Sequence, residues 1–136
     1  MLTKNVLSLA EAKAAAAAGA KVAQANGWSV VIAIFDDGGH LQYLERADGV
    51  QVGSVLTAQE KGRTALLYKR PTKALEDAVL GGRTVMLKMP GATPIEGGVP
   101  LIYRGEVVGS VGVSGVKSNE DGQIAQAAAG YIAALA

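Results

Sequence analysis

His40 is the only histidine in the chain and there is no cysteine, which narrows the available chemistry at once. A two-histidine metal site, a thiolate zinc site, an iron–sulfur cluster and a cysteine nucleophile are all excluded, so oxygen and nitrogen groups must carry any reaction. His40 follows Asp36-Asp37-Gly38-Gly39, a run that reads as a tight hairpin turn because Asp tolerates a positive φ and Gly adopts it freely. In that place it is either a partly exposed hairpin residue or a general acid/base or metal ligand with an unperturbed pKa of about 6.5. Asp36 and Asp37 could pair as acid and base or hold a hard cation, although turn chemistry accounts for both.

Charges of opposite sign gather at two other places: Glu45, Arg46 and Asp48, then Glu60, Lys61 and Arg63. Such groupings form solvated ion-pair lattices, or else Arg46 and Lys61 clamp a carboxylate, one as a planar fork and the other as a point charge. Lys61 is the more telling of the two. A lysine on a largely apolar helical stretch is costly to bury unless an acidic ligand, water, or a carboxylate such as Glu60, Asp48 or Asp121 receives it. The glycine-rich strings Glu96-Gly97-Gly98-Val99-Pro100 and Gly109-Ser110-Val111-Gly112-Val113-Ser114-Gly115 lack the spacing of a dinucleotide or P-loop fingerprint. They read as tightly packed strands, or as backbone N–H groups offered to an anionic ligand edge. Met86 and Met89 fit gap-filling core better than metal ligation.

The elements that must position these groups follow from periodicity. Ser8-Leu9-Ala10-Glu11 has the form of a capping box, opening a helix to about Gln24 with Leu9, Ala12, Ala16, Ala20 and Ala23 on one stripe and a stop near Asn26-Gly27. Trp28 to Phe35 reads as a strand covered on both faces, and His40 to Arg46 as its hairpin partner. Val52 to Tyr68 has helical spacing at Val52, Val55, Leu56, Ala58 and Ala65, and Thr72 caps a short helix through Leu80. Arg83 to Gly98 is punctuated too densely by Pro and Gly for a long element and reads as a covering loop. Val99 to Tyr103 and Glu106 to Gly115 form a second hairpin, with Val107, Val111 and Val113 on one face and Val108, Ser110, Gly112 and Ser114 on the other. Ser118 or Asn119 caps the last helix, Glu120 to Leu135. Strands in hairpins with helices at both ends predict an α+β domain with an antiparallel sheet and terminal helices on one face.

The 136 residues predict one domain, 1–136, and the 49% apolar content and net charge of +1 predict that it folds. Without a basic stripe, neither nucleic acid nor an anionic membrane surface is expected as a partner. Met1 to Leu7 has no signal-type apolar run, so a cytoplasmic location is expected, though a removed signal peptide would leave no trace. Smooth alanine faces on two helices leave apolar area for a partner, which predicts a homo-oligomer.

Six strings in order carry a resemblance: Phe35-Asp36-Asp37-Gly38-Gly39-His40-Leu41, Glu45-Arg46-Ala47-Asp48-Gly49, Lys61-Gly62-Arg63-Thr64-Ala65, Arg70-Pro71-Thr72, Gly97-Gly98-Val99-Pro100-Leu101, and Gly105 to Gly115. Together they closely resemble the GlcG/HbpS family, also called the haem-degrading or PduO C-terminal domain family, over nearly the whole chain. The resemblance implies a profilin-like fold with a five-stranded antiparallel sheet flanked by helices, assembling as dimers to octamers. It implies an accessory protein that binds a small anionic or aromatic ligand of the haem or tetrapyrrole sort. The alternative is a small cofactor-independent enzyme, a lyase or related proton-transfer catalyst acting on a small aromatic or hydroxylamino acid. In the first reading Arg46, Asp48, Lys61, Thr64, Gly97, Gly98, Pro100 and Ser114 are expected to converge on one ligand cleft, with His40 as the haem-iron ligand. In the second, Lys61, Glu60 and His40 move protons. The axial histidine that some haem-binding members carry near the first helix is missing here, and Ala47 stands where the family usually has Met.

Overall fold

In the computed structural model, which describes all 136 residues, the first helix starts as its capping pattern requires. Ser8 Oγ accepts from the Glu11 N–H at 3.1 Å and the Glu11 carboxylate accepts from the Ser8 N–H at 2.9 Å. This helix, α1 (Leu9–Asn26), ends at Gly27 in the left-handed region at φ 69°. Its inward face is Ala12, Ala15, Ala16, Gly19 and Ala23. Leu9, expected on that stripe, is half exposed, because the backbone-close contact of α1 suits methyl-sized side chains only.

Two hairpins follow as the turn residues dictate. Strands β1 (Val31–Asp36) and β2 (Leu41–Arg46) form the first; β3 (Gly98–Tyr103) and β4 (Glu106–Ser114) form the second, through Arg104 and Gly105 at φ 50° and 78°. Between them lie α2 (Gly53–Tyr68), α3 (Thr72–Leu80) and a short 3-10 turn, Thr84–Lys88; α4 (Ser118–Ala133) closes the chain. The sheet is antiparallel throughout, in the order β2-β1-β4-β3. It has four strands, not the five implied by resemblance: the Pro- and Gly-rich stretch before β3 runs as a strap tied to α2 by side chains and adds no strand.

The sheet is covered on both faces. Helices α1 and α4 pack with Ile32, Ile34, Val111 and Val113 in the larger core, and α2 covers Val31, Ala33 and Phe35 on the other side. Two local expectations change for stated reasons. A bulge between Leu101 and Ile102 shifts the register, so Val108 joins Val111 and Val113 in the larger core. Thr72 lies inside the first turn of α3, with Pro71 at the cap position, and its hydroxyl accepts from the Gly98 N–H at 2.9 Å. Likewise α4 begins at Ser118, where the Glu120 carboxylate accepts from the Lys117 N–H at 3.2 Å.

The α2 layer contains the tightest contact in the molecule. Its inward side is Ser54, Ala58, Lys61, Gly62, Thr64, Ala65 and Leu66, while Val52 and Leu56, expected inside, face outward. A Cβ on Gly112 of β4 would collide with the Ala58 carbonyl and the Gly62 backbone, so helix and strand meet main chain to main chain. Gly112→Ala is expected to cost more than about 3 kcal/mol, as overpacking against rigid backbone does. Gly130 on α4 has open space at its Cβ position, and Gly130→Ala should raise stability by up to about 1 kcal/mol through helix propensity. Urea midpoints of the two variants check this; equal midpoints would contradict the close-contact assignment.

Candidate functional site

Seating α2 on β4 brings Lys61 to the edge of the sheet. There β3 runs out at Gly98, and the Val113 carbonyl accepts from Lys61 Nζ at 3.1 Å. The same ammonium donates to Asp121 Oδ2 at 3.0 Å, with both side chains almost wholly buried. Asp121 Oδ1 in turn accepts from the Val116 N–H at 3.2 Å, which fixes the β4–α4 connection. Of the three carboxylates that could receive Lys61, Asp121 does so, from the inward face of α4's first turn. Burial pushes the Asp121 carboxyl above its usual range, and the Lys61 ammonium opposes that rise.

Gly97 and Gly98 belong to this corner. A Cβ on Gly97 would meet Lys61 Nζ and Cδ at 2.9 Å and the Val113 carbonyl at 2.7 Å, and its φ of 135° favours glycine in any case. Pro100 sits opposite Ser110, whose hydroxyl donates to the Gly62 carbonyl at 2.6 Å. Ser114 is close by on β4 and donates to Ser54 Oγ at 3.2 Å, a partner that α2's helical spacing did not advertise. Thr64 Oγ1 lies 2.7 Å from the Glu60 carbonyl and 2.9 Å from the Gly91 carbonyl and accepts from the Thr93 N–H, while Glu60's carboxylate accepts from Thr93 Oγ1 at 3.1 Å. Tyr68 bonds the Pro90 carbonyl, so the strap over α2 is held along its length.

Arg46 and Asp48 stand apart from that corner. Arg46 is exposed at the end of β2, across Val31 from Ser114, and Asp48 lies in an exposed turn whose carbonyl accepts from Ser29 Oγ at 2.7 Å. The family resemblance implied that they share a cleft with Lys61, but Val31 of β1 lies between Arg46 and Ser114.

His40 is at the opposite end of the sheet. Asp36 Oδ1 accepts from the His40 and Gly38 N–H groups, each at 2.9 Å, and faces His40 Nδ1 at 3.3 Å. Burial pushes the Asp36 carboxyl up, but these N–H groups and the imidazole outweigh it and hold the carboxyl below its ordinary value. The imidazole is 82% exposed. Leu66 and the Arg63 guanidine lie against the adjacent Gly39, and Arg63 makes no ion pair. Leu41 and Leu67 are exposed hydrophobics on the neighbouring segments. No group of three or more His, Cys, Asp or Glu stands close enough together to hold a metal ion.

A family model described as "Haem degrading protein HbpS-like" matches residues 7–130. Protein GlcG of Escherichia coli strain K12 is 48% identical over 114 residues, covering 84% of this chain and 85% of GlcG. Among solved structures, Klebsiella pneumoniae protein ORFY superposes with a TM-score of 0.89 at 29% identity, over 100% of this chain and 97% of ORFY. A structure titled "PduOC:Heme Complex" superposes with a TM-score of 0.84 at 27% identity, over 93% of this chain and 95% of its own.

The Lys61–Asp121 pair has a measurable consequence. Lys61→Met leaves a buried carboxylate without its cation and is expected to cost about 3–5 kcal/mol, whereas Lys61→Met combined with Asp121→Leu should regain most of that loss. Urea unfolding of the two variants checks it. A single variant as stable as the parent would place Lys61 outside the structural framework.

Proposed function

This chain belongs to the HbpS-like family, and we propose that it is a small-molecule binding accessory protein whose ligand is haem or a related tetrapyrrole, docked at the hairpin tip where His40 Nε2 would hold the iron. The observation that carries this reading is the Asp36–His40 arrangement. A carboxylate on Nδ1 fixes the tautomer and leaves Nε2 basic and exposed, which is the outer-shell support that metal-ligating histidines use. The PduO structure with bound haem, similar over most of this chain, supports the same ligand class.

The surroundings fit a ligand lying on the surface. Arg63 offers an unpaired guanidinium for a propionate, and the exposed Leu41 beside His40 offers apolar contact for a macrocycle face. The five main cavities of the chain measure about 280–400 Å³ each and suit small ligands better than a whole macrocycle. When bound, haem would supply an iron centre for redox or ligand-binding chemistry, its potential tuned by the protein donor. The protein's part is to orient the imidazole and to neutralise a carboxylate. Proton-transfer catalysis by Lys61, Glu60 and His40 draws less support, since Lys61 is held by Asp121 and Val113, Glu60 is bonded to Thr93, and His40 lies at the other end of the sheet from the Lys61 ammonium.

Assembly belongs to the same proposal. Val52 and Leu56 on α2, with Leu80, Val85 and Leu87 beyond it, are all at least 60% exposed, an apolar surface suited to other copies of the chain in a dimer or larger ring. A cytoplasmic location is retained as part of the proposal; no helix is long and apolar enough to cross a membrane.

Haemin titration tests the ligand. The parent protein should show a shifted Soret band characteristic of imidazole ligation, and His40→Ala should lose it while keeping its thermal midpoint. Asp36→Ala should weaken binding about 10-fold or more, the cost of losing outer-shell support. Because the folded Asp36 carboxyl lies below its unfolded value of about 3.9, its contribution to tip stability is present above that pH and is lost as pH falls through the folded value. A haemin spectrum identical in parent and His40→Ala would overturn the assignment of His40.

A further inference from the structure

The segment before α1, tied to the hairpin tip by the Lys4–Asp37 ion pair at 2.6 Å, crosses a cavity of about 350 Å³, within the range of about 300–1,000 Å³ typical of small-molecule sites. Its floor is Leu7, Val108 and Ile132 from the larger core, and its walls include Val6 and Leu135, both exposed. The segment is clipped in place by Asn5, whose backbone N–H and Nδ2 donate to the two oxygens of the Glu106 carboxylate at 3.2 and 3.0 Å. An apolar hollow therefore lies over the closed core, beside a strap with its own polar fastening.

The polar groups that remain select a chemistry. No lysine, arginine or histidine lines the cavity. Glu11 does, and only one of its oxygens, Oε2, is used, by the Ser8 N–H; Oε1 has no protein donor. The Tyr103 hydroxyl also has no partner, while the Arg104 guanidinium stacks on the Tyr103 ring at 5.1 Å without lining the cavity. Helix α4 ends beside this wall with no basic residue in its last turn, so its terminal carbonyls add negative potential. The free Glu11 oxygen, the Tyr103 hydroxyl and the α4 carbonyls thus favour a cation or a hydrogen-bond donor over a carboxylate, with the N-terminal end of α1 acting against them.

We propose that this cavity binds a small hydrophobic amine, of arylalkylamine type, with its apolar body on Val6 and Leu135 and its ammonium on Glu11 Oε1. The cavity shares no lining residue with the hairpin tip, and its ligand is opposite in charge to a tetrapyrrole carboxylate. The two readings therefore fail separately.

The test is a backbone-amide NMR titration of the full chain with phenethylamine, phenylacetate as the acid of similar size, and 2-phenylethanol as the neutral control. Phenethylamine should shift Val6, Tyr103 and Leu135, and phenylacetate should bind at least about 10-fold more weakly, as expected when a like charge replaces a paired one. Glu11→Gln keeps the capping box, because Gln at this position still accepts from the Ser8 N–H, and far-UV circular dichroism confirms that α1 is intact. That variant should bind the amine about 5–10-fold more weakly, in line with loss of a charge-assisted bond, with 2-phenylethanol unchanged. His40→Ala should bind the amine as the parent does. Equal affinity for amine and acid, no shifts at millimolar ligand, shifts confined to other surfaces, or an unchanged amine affinity in Glu11→Gln would each overturn the proposal.

Discussion

The contact on which the rest depends is main chain against main chain, where α2 rests on β4 at Gly112, Ala58 and Gly62. With no side chain between them, helix and sheet approach more closely than leucine-lined layers can, and polar groups can span the gap. Ser110 reaches the Gly62 carbonyl and Lys61 reaches the Val113 carbonyl. Each of these bonds satisfies a backbone acceptor that burial would otherwise leave unpaired, at a cost comparable to a lost hydrogen bond. Close approach therefore converts polar residues of α2 into framework.

That geometry explains a division of labour between the two ends of the sheet. At one end the chain has committed its charge internally: Lys61 is shared between Val113 and Asp121, and Gly97 and Gly98 leave just enough room for it. A buried pair of this kind gains little over an apolar substitute, but losing either partner is expensive, so it specifies one seating of α2, β4 and α4. At the other end charge is left available. The Asp36–His40 pair is organised by backbone N–H groups and faces solvent, and Arg63 stands beside it without a carboxylate. Rigid framework at one end and a pre-ordered, exposed donor at the other is the arrangement a surface ligand requires.

Much of this was readable from residue order. The capping box at Ser8 and Glu11, the Asp36 to Gly39 turn, the Arg104-Gly105 turn and both hairpins are local signals with local causes, and they appear as the turn and cap rules demand. What depended on tertiary contact was not readable in the same way. Val52 and Leu56 set an apolar rhythm on α2, yet the buried face is the one carrying Ser54, Ala58, Lys61 and Gly62, because glycine and alanine there meet a glycine on β4. The need for an anion beside Lys61 was legible from its chemistry. Which of Glu60, Asp48 and Asp121 would supply it rested on the 60-residue separation between Lys61 and Asp121 that only folding closes. Arg46 was grouped with Lys61 by the family resemblance, and β1 lies between Arg46 and the Ser114 end of β4.

The central claim is that Lys61 is internal framework and that ligand chemistry lies at the hairpin tip. Nitrogen-detected NMR of the lysine ammonium groups tests it most directly, with zinc protoporphyrin as a diamagnetic probe. The account predicts a Lys61 ammonium resonance that is protected from exchange with water and unmoved at saturating probe, while the His40 ring resonances shift. A Lys61 ammonium that exchanges freely, or that moves with the probe while His40 stays still, would contradict it.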